Sequence, residues 1–286
     1  MKTVDVSKKP DTERKALALG RVYTTPDVIK FLKERKIEKG DVLEISKAVG
    51  LLGAKQVPHL FPFCHPLLIT DIEVDIKVFD EGILEISAIV KNVGKTGVEI
   101  EAITAVSLTA LNVYDMLKRY DRWIKIGEIQ LVEKSGGKSG HVKREFEFEG
   151  RVLKVAKSKE RGLKKPQKKI KLIENFGVEG DVHAGTEREV SIFPLEALRL
   201  VPSEVLNKIN PLEMTENILI VGIPDYLLLP GKRLKMGETL LEVIEVGKEE
   251  YVDSGKPYVV SRWGRFCKVI KGGTVEPGDS VKLLFD

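Results

Sequence analysis

The stretch TGVEIEAITAVSLTALNVYDMLKRYD, residues 96 to 121, limits what this chain can fold into more than any other. It is apolar on nearly every side at helical period, so it must be a helix buried within a protein or an oligomer. Its neighbours supply the cover. DIEVDIKVF (71 to 79) alternates apolar and charged residues, Glu81-Gly82 makes a turn, and ILEISAIVKNV (83 to 93) alternates again. That pattern is a β-hairpin. A last strand, WIKIGEIQLVEK (123 to 134), follows the helix. Upstream, TTPDVIKFLKERK (24 to 36) reads as a helix with a Thr cap, Pro26 in the first turn, and Val28, Phe31 and Leu32 on one face. A second helix falls in residues 40 to 60, with Asp41 as its cap.

The texture changes near residue 143. REVSIF, NILIVGI, RLKMGETLLEVIEVGKE and DSVKLLF are short and separated by Gly or Pro, as in an all-β barrel or sandwich. Only SIFPLEALRLVPSEVLNKI (191 to 209) looks helical. A chain of 286 residues suits two domains, and the expected division is 1–148 and 149–286. Between Lys154 and Lys171 stand nine Lys or Arg and one acid, Glu160. No aromatic residue interleaves this tract, so a stacking platform for single strands is absent, and a solvated loop between strands is the expected role.

Composition excludes several classes. The polar start, MKTVDVSKKPDTERK, does not resemble a secretory leader, and no apolar run approaches the roughly 20 residues of a spanning helix. The expectation is a soluble, cytoplasmic protein. Cys64 and Cys267, far apart, read as free thiols, and no clustered ligands suggest a structural zinc. A net charge of +4 favours anionic small molecules at least as well as nucleic acid. The Lys- and Glu-rich charged fraction of 31% leans toward a thermophile.

Polar residues in apolar context mark candidate chemistry. In residues 96 to 121 no charge falls between Glu101 and Asp115. Fourteen residues at about 100° bring Asp115 to within about 40° of Glu101's direction. Lys118 can pair with Asp115 on the same face, which would equally suit an ordinary ion pair at a solvated helix end. KSGGKSG (134 to 140) offers flexible backbone N–H groups between Lys134 and Lys138, without Walker spacing. In FPFCHPLL (61 to 68), Cys64 and His65 are adjacent, so their side chains diverge and a nucleophilic dyad is disfavoured.

Four stretches occur together in residues 1 to 142: MKTVDVSKKPDTERKALALGRV, KGDVLEISKAVGLLGAKQVPHLFPFCHPL, GKTGVEIEAITAVSLTALNVYDMLK and VEKSGGKSGH. They resemble the cyclic pyranopterin monophosphate synthases of molybdenum cofactor biosynthesis. The resemblance implies a ferredoxin-like α+β sandwich assembled as a hexamer, a trimer of dimers. It implies conversion of 3′,8-cyclo-7,8-dihydroguanosine triphosphate to the cyclic pterin with release of pyrophosphate, with no cofactor or catalytic metal. It places Asp115, Lys118 and Lys39 in catalysis. It assigns Phe63, Cys64, His65, Glu99, Ile100, Glu101, Arg14, Lys55 and Lys134 to substrate binding, although Phe63 and Ile100 replace the commoner Leu and Met. A lysine beside a carboxylate in a site shared between subunits would be tuned toward neutral pKa.

Residues from about 150 onward resemble a MOSC domain, a β-barrel module associated with the molybdenum cofactor or with sulfur. GRVLKVAKSKERGLKKP, VEGDVHAG, TENILIVGI and FCKVIKGGTVEPGDSV carry that resemblance. The implied protein is bifunctional, with a cofactor or sulfur ligand at the barrel. Pro257 stands where a cysteine is expected, and Cys267 reads as a core strand residue. His183 and Arg188 could form an anion-binding corner or a structural turn. The alternative for the whole chain is a cofactor-binding scaffold with a degenerate synthase domain, which the intact Lys39, His65, Asp115, Lys118 and Lys134 set opposes.

Overall fold

The computed structural model describes residues 1–206, 215–247 and 263–285. It divides into two units, Met1–Arg144 and Glu145–Asp286. The division precedes the strand Phe146–Lys157, which the expected boundary at 148 would have cut.

The first unit runs β1 (Thr12–Tyr23), α1 (Pro26–Lys33), α2 (Val42–Leu60), β2 (Ile69–Phe79), β3 (Ile83–Gly94), α3 (Glu99–Leu117), β4 (Lys125–Ser135) and β5 (Val142–Lys143). The sheet order is β2-β3-β1-β4-β5, antiparallel throughout. Its first four strands have the split βαββαβ arrangement of ferredoxin-like folds. Gly82 turns the β2–β3 hairpin at φ +93, a conformation open to glycine without steric cost. Thr25 and Asp41 cap α1 and α2, each accepting a backbone N–H with its side chain. The buried face of α1 is Val28, Ile29 and Leu32. Phe31, expected there, is 38% exposed and lies beside the Tyr120 ring instead.

α3 has the length and apolarity of a membrane-crossing helix, but here it is the core helix of this unit. Ala102, Ala105, Val106, Ala110 and Val113 are fully buried in the core shared with the sheet. α2 crosses it closely and antiparallel, because Gly50 lies against Thr109 and Gly53 against Leu108. The Asn112 Nδ2 donates to Ser46 Oγ at 2.9 Å across the same contact.

The second unit contains β6 (Phe146–Lys157), β7 (Lys165–Gln167), β8 (Ile170–Ile173), β9 (Gly177–Val178), β10 (Val190–Pro194), β11 (Ile218–Val221), β12 (Arg233–Met236), β13 (Thr239–Val246), β14 (Arg265–Lys271), β15 (Gly273–Val275) and β16 (Ser280–Leu284). Strands β11-β10-β14-β13-β12-β16-β6 follow one another, and β6 pairs back to β11, which closes a seven-stranded barrel. Val152, Ile192, Ile218, Val243, Val269 and Leu283 fill it. The helix expected over 191 to 209 is replaced. Val190–Pro194 is a fully buried barrel strand, Leu195–Leu200 a 3-10 turn, and only Ser203–Leu206 is α-helical among the described residues. Pairing with β11 and β14 satisfies that strand's backbone in the core and overrides its helix-like composition.

Candidate functional site

The residues singled out in the first half gather at two ends of α3. At its C-terminal end, Asp115 is clamped on both carboxylate oxygens. Lys39 Nζ donates to Oδ2 at 2.6 Å and to the Asp115 carbonyl oxygen at 2.7 Å, and Lys118 Nζ donates to Oδ1 at 2.7 Å. The hydrogen bonds from Lys118 and Lys39 hold the Asp115 carboxyl down at about 2. In return Asp115 raises Lys118 above the usual lysine range. The expectation of a lysine tuned toward neutrality is therefore not met within one chain, where the adjacent carboxylate stabilises the ammonium. All three side chains are about half exposed, so the cluster stands open to a ligand or a second subunit.

The N-terminal end of α3 is different. A cleft of about 550 Å³ opens between the first segment, β1, the turn into α3 and the Gly-rich loop after β4. Lys8, Lys9, Arg14, Lys95, Lys134 and Lys138 contribute to its lining, and Glu99 is the one acid among the lining residues. Glu99 pairs with Lys134 at 3.0 Å. Arg14 donates from Nε to the Gly94 carbonyl at 2.9 Å and from Nη2 to the Lys95 carbonyl at 3.2 Å. Its guanidinium lies where any side chain at Gly137 would collide, so the turn at Gly136 and Gly137, both at positive φ, is shaped around it. Clustered ammonium and guanidinium donors of this kind match phosphate oxygens.

Beside this cleft, Glu101 is only 3% exposed. Burial pushes its carboxyl up, and the neighbouring Glu99 charge adds to that. Phe63, Cys64 and His65 follow α2, whose antiparallel course brings them to this same end. Burial raises the Cys64 thiol, and the nearby Glu101 charge raises it further. A thiol so placed is less reactive, not more. Ile100 and Phe63 are exposed apolar side chains at 41% and 50%. Lys55 projects from α2 into solvent and does not line the cleft.

The two ends do not meet. Fourteen residues separate Glu101 from Asp115, which is about 21 Å at 1.5 Å per residue. Lys8, Lys9, Lys15 and Lys95 were not anticipated as cleft residues. The Lys8-Lys9-Pro10 run before β1 was the available signal.

In the second unit, Cys267 is fully buried on β14 and burial pushes its thiol far up. The basic tract is only partly a solvated loop. Lys154 pairs with the buried Glu216 at 2.7 Å and Lys164 with the buried Asp181 at 2.6 Å. Arg188 is spent on a two-pronged pair with Glu245, at 2.8 and 2.7 Å, over the Phe266 ring. That leaves His183 without Arg188 as an anion-binding partner. Pro257, which stands where a cysteine is expected, lies outside the described residues. Among the described residues no group of three or more His, Cys, Asp or Glu could hold a metal.

The MoaC family matches residues 3–137. A cyclic pyranopterin monophosphate synthase of Thermomicrobium roseum is 48% identical over 143 residues, covering 50% of this chain and 86% of the relative. Those of Parvibaculum lavamentivorans and Syntrophomonas wolfei are each 50% identical, covering 49% and 50% of this chain and 88% and 91% of the relatives. Among solved structures, YiiM from Escherichia coli is 19% identical with a TM-score of 0.34, covering 48% of this chain and 70% of that one. YiiM from Geobacillus stearothermophilus is 14% identical with a TM-score of 0.30, covering 48% and 73%.

Proposed function

The chain belongs to the MoaC family through residues 3–137, and from that membership we propose that it converts the cyclised guanosine triphosphate to cyclic pyranopterin monophosphate and pyrophosphate. The observation that carries the reading is the cationic cleft at the N-terminal end of α3. A triphosphate needs its charge neutralised on binding, and the departing pyrophosphate needs it again in the transition state. Arg14, Lys95, Lys134 and Lys138 are placed for that. Glu101, with its carboxyl raised by burial, is suited to donate a proton during ring opening and reclosure. Asp115, held ionised, keeps Lys39 and Lys118 together as charged donors rather than acting as a base itself.

The site is composite in this reading. Since Glu101 and Asp115 lie about 21 Å apart along one helix, a single substrate engages the cleft of one copy and the Lys39–Asp115–Lys118 cluster of another. Ile45, Leu52 and Leu60 on α2 and Ile100 and Leu111 on α3 are exposed apolar side chains on the helical layer, which suits an interface between copies. Two copies related by a two-fold axis would form two such sites.

For the barrel, the described residues do not fit a sulfur carrier or a thiolate-held metal cofactor, because Cys267 is sealed in the core.

Incubating the full-length chain with the cyclised nucleotide tests the reading. Pterin product and pyrophosphate should appear in equal amounts. Asp115→Asn removes the carboxylate that holds the two ammonium groups together and should lower turnover by about 10²-fold with the circular dichroism spectrum unchanged. Near-normal turnover by that variant would remove the cluster from the reaction.

A further inference from the structure

Lys39 is carried by the loop between α1 and α2, not by a helix or strand. Yet its ammonium meets two oxygens of Asp115. A flexible four-carbon side chain on a loop would lose that geometry unless the loop itself were fixed.

Several contacts fix it. α1 ends in a Schellman closure: Lys36 N–H donates to the Phe31 carbonyl at 2.9 Å and Arg35 N–H to the Leu32 carbonyl at 3.1 Å, with Arg35 at φ +54. Ile37 is buried at 6% exposure. Gly40 N–H closes a turn onto the Ile37 carbonyl at 3.1 Å. These hold the loop's ends. Its centre, next to Lys39, is held from outside. The Tyr120 hydroxyl oxygen accepts the Glu38 N–H at 3.0 Å, and the hydroxyl lies 3.5 Å from the Lys36 carbonyl oxygen.

Tyr120 is itself tied to the end of α3, its N–H donating to the Leu117 carbonyl at 2.8 Å. Its ring leans on Phe31, centroids 6.2 Å apart. One side chain thus joins the Lys39 loop to the helix end that carries Asp115 and Lys118. The other link, the Arg119–Glu38 pair, is exposed on both sides and such pairs hold geometry weakly.

We propose that Tyr120 is a positioning residue for Lys39, its hydroxyl fixing residues 36–40 so that the Lys39 ammonium seats on Asp115. The proposal rests on the assignment of Lys39, Asp115 and Lys118 to the reaction, and goes beyond it by naming what places Lys39. Tyr120→Phe separates the hydroxyl from the ring, whose packing on Phe31 remains. A displacement of about 1 Å in a catalytic group can cost up to about 10²-fold in rate. Tyr120→Phe should therefore lower kcat by roughly tenfold, with KM changed less than about twofold.

The direct readout is the titration of the Asp115 carboxyl, followed by ¹³C NMR in the full-length chain. The charged groups facing it are Lys118 and Lys39, with Arg119 and Glu38 at the rim. In the unmodified protein it should titrate near 2. Lys39→Ala should move it upward, and Tyr120→Phe should move it in the same direction. In the Lys39→Ala background, Tyr120→Phe should add nothing, since the residue it positions is gone. An unmoved Asp115 in Tyr120→Phe, or an equal shift with Lys39 absent, would overturn the proposal. Failure of the site assignment would look different: Lys39→Ala would then turn over at the normal rate, whatever the titration reported.

Discussion

Gly50→Ala probes the contact that sets α3 in place, and so the position of every group the helix carries. In an open helix this change stabilises by about 0.5–1 kcal/mol, because glycine loses more backbone freedom on folding. Here a methyl group at residue 50 would fall well inside contact distance of Thr109 Oγ1 and 2.9 Å from the Ala105 carbonyl oxygen. Neither atom is free to yield. The carbonyl belongs to the α3 backbone, and the Thr109 hydroxyl donates to it at 2.8 Å in a fully buried setting. Overpacking a core by one methyl costs about 1–3 kcal/mol, and disturbing the hydroxyl's bond adds about 1 kcal/mol. The net expectation is a loss of about 1–3 kcal/mol after the helix gain is subtracted. Urea unfolding followed by far-ultraviolet circular dichroism measures it. Thr109→Ala in the same chain should recover part of the loss, since the two changes share one space. A Gly50→Ala variant more stable than the parent would refute the close crossing of α2 and α3.

Three further outcomes follow from named groups. Cys267→Ala should cost about 1 kcal/mol in stability, from lost packing, and leave pterin formation unchanged, as read by coupled turnover and thermal melts. Asp181 loses stability to burial, but bonds from His183 and Lys164 more than offset this and hold its carboxyl well below the usual 3.8. Its contribution to stability should be complete above that value and be lost as pH falls below it, and Asp181→Asn should flatten the acid limb of the unfolding profile. Lys134→Met removes a cleft cation and frees Glu99. It should raise KM for the nucleotide more than it lowers kcat, and weaken the dependence of KM on ionic strength.

Much of the first unit was legible because its patterns are local. The alternation of β2 and β3, the turn at Gly82 and the caps at Thr25 and Asp41 each follow from a few adjacent residues. Ile29 was missed in favour of Phe31 because Tyr120, far along the chain, gives Phe31 a partner at the surface. Residues 191–194 misled for another reason. Val190–Pro194 is buried on both faces, so it shows no period-two alternation, and a short apolar run of that kind cannot be told from a helix by periodicity.

For the candidate site, the sequence names residues, and the structure shows where they stand. The face shared by Glu101 and Asp115 gives a direction around the helix, but the rise along it separates them by about 21 Å. The buried Lys154 and Lys164 were hidden within a basic tract because their partners, Glu216 and Asp181, come from other strands and loops.

The central claim is that one copy supplies the cationic cleft and another the Lys39–Asp115–Lys118 cluster. Mixing two inactive variants tests it most directly: Asp115→Asn and Lys134→Met/Glu101→Gln, unfolded together, refolded at equal concentrations and assayed for pyrophosphate release. If each site joins both ends from different copies, half of the randomly formed pairs are mixed and each holds one intact site. Activity should then return to about a quarter of the unmodified level. Activity no higher than that of either variant alone would place both ends of the site in a single chain and contradict the account.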